Sequence, residues 1–171
     1  MSDNMIRPIV LYKPYGNNDV LTHYIDEKDY SDSQKRHEVH EILESNRIHY
    51  NGLGLAANQI GLEERAFNID GSTYFNPNVV EYNRDSVDAY SEGCLSFLSI
   101  KASIYRPHEI TVNYTNLEGE VVNKTLEGLD AVAFQHELDH LNGITMADNI
   151  KSKIQRKKFM EKYKKSFNKL K

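Results

Sequence analysis

Residues 129–141 read LDAVAFQHELDHL, a run without glycine or proline in which apolar residues fall on nearly every side. A helix of that kind is largely buried, so the remaining chain must supply layers to cover it. Gly143 stands just past it as a stop signal. Around this helix, "RAFNID" at 65–70, "YFNPNVV" at 74–80, "IYRPHEITVNYTN" at 104–116 and "EVVNKTLEG" at 120–128 alternate or cluster β-forming residues, with "NLEG" as a hairpin turn. Ser31–Ser33 offers caps for a helix over about 33–50, where Val39, Ile42, Leu43 and Tyr50 recur at helical spacing. A last helix is expected from about Asp148 to the C-terminus. The class is therefore α+β, with antiparallel strands packed around a central helix.

No repeat, low-complexity linker or composition break divides the chain, so residues 1–171 are expected to form one domain. With 39% hydrophobic and 27% charged residues, it belongs with globular rather than disordered or membrane proteins. No stretch approaches the roughly 20 apolar residues of a spanning helix. "MIRPIVLY" at 5–12 is too short and interrupted for a secretory segment, which points to a cytoplasmic location. Net charge is −4, but ten basic residues face one acidic residue between Asn149 and Lys171. Such a tail is an electrostatic footprint for RNA or another polyanion, although a solvated helix with a stripe of Ile154, Met160, Tyr163, Phe167 and Leu170 is the plainer reading.

His136 and His140 stand at i and i+4, about 6 Å apart along a helix axis, so both imidazoles can reach one ion. Two ligands do not complete a site. The single cysteine, Cys94, rules out an intrachain disulfide and lies in "EGCLS" at 92–96, a short loop between strands. Thiolate plus two imidazoles leaves a position open for water, the pattern of a catalytic rather than a closed structural site. A second pair, His37 and His40 in "HEVHE", is surrounded by charged residues and reads as a solvated helix face.

"GLGLAANQ" at 52–59 imitates a dinucleotide-binding turn, but a helix precedes it and a strand follows it, the reverse of what that turn requires. Its glycines instead allow another backbone to come close. Leu53 is expected to expose its N–H and C=O to an extended peptide, and Gln59 to offer a neutral amide donor.

In this order and spacing, "GLGLAANQ", "EGCLS" and "QHELDHLNG" at 135–143 resemble the three motifs of the peptide deformylases, and the resemblance runs from roughly Asn51 to Asp148. It implies a divalent metal on Cys94, His136 and His140, which brings the pKa of water from about 16 toward 7. Glu137, beside His136 on the helix, would move the proton to the leaving amine. Oxyanion donors would be the Gln59 amide and the Leu95 N–H. Leu129, Val132 and Ala133, one or two turns before His136, would form an apolar pocket suited to a methionine side chain. Leu53, Gly54 and Gly93 would pair with the substrate main chain.

The implied substrate is an N-formylmethionyl peptide or nascent chain, and the product is formate. Ferrous iron is implied as the cellular metal, with zinc, nickel or cobalt able to occupy purified protein. A monomer is expected, docking on the ribosome through the basic helix at about 148–171. Two other classes fit parts of the sequence. A zinc peptidase of the HExxH type would take a downstream His or Glu in place of Cys94, and a non-catalytic ribosome- or RNA-binding protein would use the tail alone.

Overall fold

The structure is a computed structural model that describes residues 5–170. After a short helix α1 (Asp19–Thr22) comes α2 (Ser33–His49), capped by Asp32, whose side chain accepts from the Gln34 N–H. Strands β1 (Gly54–Ala56), β2 (Ala66–Ile69), β3 (Ser72–Tyr82), β4 (Val87–Glu92), β5 (Ala102–Pro107), β6 (Glu109–Thr115) and β7 (Val121–Glu127) follow. Helix α3 (Gly128–Leu141) carries the two histidines, and α4 (Lys153–Asn168) closes the chain. β1-β2-β3-β6-β7 form one antiparallel sheet in that spatial order, and β4-β5 form a separate antiparallel pair.

Ala131, Phe134, Leu138 and Leu141 on one face of α3 pack against Phe67, Ile69, Ile110, Val112 and Tyr114 of the large sheet. On the other side of that sheet's edge, Val39 and Leu43 of α2 meet Leu55, Ala57, Ile60 and Phe75. A third cluster joins Cys94, Phe97 and Ile104 to Phe159 and Tyr163 of α4. The antiparallel layers around a central helix are thus as expected, and so is the hairpin turn: Gly119 has φ +86° and donates to the Asn116 carbonyl.

Four expectations need correction. The single strand read over 104–116 is two, β5 and β6, in different sheets. Pro107 has no N–H to continue a ladder, and the chain changes sheets beyond it. β4 went unread because most of "VDAYSE" is exposed, which removes the apolar alternation. The final helix starts at Lys153, after a separate 3-10 turn over Met146–Asn149, and residue 171 lies outside the described part. Its buried side is also different: Ile154 and Leu170 are exposed, whereas Phe159, absent from the expected stripe, is buried.

Candidate active site

α3 offers its second face to the loop after β4, and there the three expected ligands meet. One donor atom each from Cys94, His136 and His140 lies within 4.8 Å of the others, and among the described residues no other group of three such side chains converges. Cys94 Sγ is 3.3 Å from His140 Nε2. His136 Nδ1 is 2.8 Å from Glu92 Oε1, which fixes the ring and leaves Nε2 for the centre. Burial drives His140 well below the ordinary histidine range, aided by the neighbouring His136 charge, so its ring is a neutral donor. One soft thiolate and two imidazoles at this spacing fit a tetrahedral transition-metal site with a place for a non-protein ligand.

Glu137 is buried in the same group, and its Oε1 has no hydrogen-bond partner among the described residues. Burial raises its carboxyl to about 7, against the pull of His136. The carboxylate packs on Gly54: a Cβ there would lie 2.5 Å from Glu137 Oε2. This close approach is the physical use of the second glycine in "GLGL". Gln59 Nε2 is 3.5 Å from Cys94 Sγ and 3.2 Å from Ser96 Oγ, while its Oε1 accepts from the Ala56 N–H. Leu95 opens a 3-10 turn over Leu95–Phe97, where the first N–H groups have no acceptor within the turn.

Leu53, Gly54, Gly93, Leu129, Val132 and Ala133 all line one cavity of about 420 Å³ beside these groups. Leu129 is 73% exposed and Leu53 64%, so both are rim rather than floor. The expectation for Leu53 is half corrected: its carbonyl already accepts from the Asp70 N–H, because β1 begins at once and pairs with β2. His37 and His40 belong to no group of three converging donors among the described residues, and the pair is not simply solvated. His37 Nδ1 meets the Ser33 carbonyl at 2.7 Å, whereas His40 is partly buried between Thr73 Oγ1 at 2.7 Å and Glu44 at 3.0 Å.

Sequence reasoning missed Glu92, Arg106 and Asp139. Arg106 holds Glu92 bidentately at 2.6 and 3.0 Å and reaches Asp139 at 2.9 Å, so a buried ion network stands behind His136. Glu92 sat in view within "EGCLS", and a charged residue next to a ligand loop was the available signal. Arg106 had none.

The family model for polypeptide deformylase matches residues 7–156. This chain belongs to the peptide deformylase family. Its members are metal-dependent enzymes that remove N-terminal formyl groups, and the Cys94, His136 and His140 donors above are able to hold a metal. Among relatives, the peptide deformylase of Aquifex aeolicus is 36% identical over 94% of this chain and 96% of its own length. The crystal structure of a peptide deformylase from Legionella pneumophila superposes with a TM-score of 0.82 at 30% identity, covering 96% of both chains. That from Thermotoga maritima gives 0.78 at 34% identity, covering 86% of this chain and 99% of its own. As a deformylase, the chain has the family core through Arg156, and most of α4 lies beyond the family match. No helix among the described residues is long and apolar enough to cross a membrane.

Proposed function

We propose that this chain hydrolyses the formyl group from the N-terminal formylmethionine of nascent polypeptides, releasing formate, with one divalent ion on Cys94, His136 and His140. The observation that carries this reading is the buried Glu137 carboxylate, its Oε1 unpartnered among the described residues, beside three metal-capable donors. An unpaired buried carboxylate costs folding free energy, so its retention argues for use in catalysis. A divalent ion at this site supplies Lewis acidity and acidifies water.

Glu137 accepts a proton from the attacking water and returns it to the departing amine. Gln59 Nε2 and the Leu95 N–H donate to the oxygen on which charge develops. Val132 and Ala133, with Leu129 at the rim, receive an unbranched apolar side chain such as methionine. β1 lies at the edge of its sheet, so an extended peptide can be added between Leu53–Gly54 and Gly93.

Ferrous iron is the metal we assign in the cell, with zinc, nickel or cobalt able to take its place in purified protein. The chain works as a single catalytic domain over residues 1–171 and as a cytoplasmic monomer. It docks on the ribosome through the basic C-terminal helix. Formate release from a formyl-Met tripeptide, measured anaerobically with ferrous-, nickel- and zinc-loaded protein, tests the reading. Turnover with ferrous iron is expected to exceed that with zinc. Cleavage of internal peptide bonds without formate would move the chain to the peptidase class.

A further inference from the structure

The positive charge of the C-terminal segment is divided between two surfaces. Lys153, Lys157 and Lys165 lie outside the groove described next, but Lys151, just before α4, and Lys158 and Lys162 on α4 line it, across from β5. The opposite wall is formed by Lys101, immediately before β5, and by Ser103. The enclosed volume is about 570 Å³, and no acidic side chain lines it. None of the four lysines forms an ion pair with a described residue. Lys151 Nζ instead sits 5.4 Å from the centre of the Tyr105 ring. Four lysines without an ion-pair partner among the described residues line one concavity and favour an anionic occupant there, in local contrast to the acidic chain before Asn149.

Lys101 also lines the cavity that holds Cys94, His136 and Glu137. Lys101 is therefore common to both linings, so a chain running from the catalytic cavity past Lys101 would reach the groove. β5 is paired along one edge only, with β4. Its other edge is suited to an extended polypeptide, which can exchange main-chain hydrogen bonds with it in a way that a nucleic acid cannot.

We infer that the β5–α4 groove is an extended substrate site that selects polypeptides carrying acidic side chains several residues after the formylated terminus. The inference rests on the deformylase reading and specifies its substrate class. Each exposed charge pair is worth roughly 1.4- to 5-fold in affinity, so three together give a preference of about 3- to 100-fold at low salt. That preference should fade as the Debye length shrinks.

The test compares kcat/KM for formyl-Met octapeptides bearing three glutamates, three glutamines or three lysines between positions four and eight, with a formyl-Met tripeptide as reference. The expected order is glutamate above glutamine above lysine, and K158E/K162E should abolish or reverse it without a matching change on the tripeptide. Equal rates for the three octapeptides would overturn the proposal. So would an equal loss on tripeptide and octapeptides in the variant, since the lysines would then act through the fold. If the variant instead keeps the peptide preference and loses affinity for a ribosomal RNA fragment, the groove is a nucleic-acid surface. Absence of formate release from the tripeptide by the unaltered protein would count against the deformylase reading itself.

Discussion

Gly54 and Glu137 are far apart in the chain and are in contact at the site. A methyl group on Gly54 would stand 2.5 Å from Glu137 Oε2 and 2.9 Å from its Cδ, inside any tolerable contact. Gly54→Ala must therefore displace either β1 or the carboxylate. A shift near 1 Å in such a group can cost on the order of 100-fold in rate, so we expect kcat to fall at least tenfold while metal content stays at one per chain. Steady-state kinetics beside elemental analysis would decide this, and unchanged kcat would mean that Glu137 does not need its present position. At this scale much was legible beforehand. The His136–His140 spacing on a helix and the presence of one cysteine each restrict geometry strongly. The packing of Glu137 on Gly54 was not legible, because it depends on where β1 passes across α3.

Glu92, Arg106 and Asp139 tie β4, β5 and α3 together through bonds that span 14 and 33 residues. No local pattern encodes such a network. β4 itself was invisible for a related reason, since a mostly exposed strand carries no apolar alternation. The break after Pro107 could have been read from its missing N–H, yet the β-forming run on both sides masked it. Two substitutions test the network. Glu92→Gln preserves shape and removes the charge that makes His136 a stronger ligand, so metal affinity should drop about 10- to 100-fold in a chelator competition. Arg106→Met removes the cation shared by buried Glu92 and half-buried Asp139 and should lower unfolding free energy by about 3 kcal/mol in urea titration. If neither quantity moves, the network is incidental to the site.

The molecule as a whole joins its C-terminal helix to its centre of chemistry. Tyr163 is fully buried, stacks edge-on against Phe97 at 5.1 Å, and donates its hydroxyl to the Tyr12 carbonyl. Phe97 lies in the turn begun by Cys94. The sequence alone shows a charged tail that reads as a solvated helix, and deletion from Ser152 onward would then spare the chemistry. With Phe159 and Tyr163 in the same cluster as Cys94, that deletion should instead lower the melting temperature by several degrees and reduce turnover with it. Ribosome docking is better tested by charge reversal outside the groove. K157E/K165E should weaken salt-sensitive ribosome binding and leave tripeptide turnover unchanged, and undiminished binding would remove the docking assignment.

The central claim is that Glu137 moves protons beside a metal held by Cys94, His136 and His140. Metal content and formate release measured on the same preparations of unaltered protein and Glu137→Ala test it most directly. One metal per chain in both, with turnover of the variant lower by at least about 100-fold, is the expected result. A variant that keeps its metal and its rate, or unaltered protein that binds one metal and releases no formate, would contradict it.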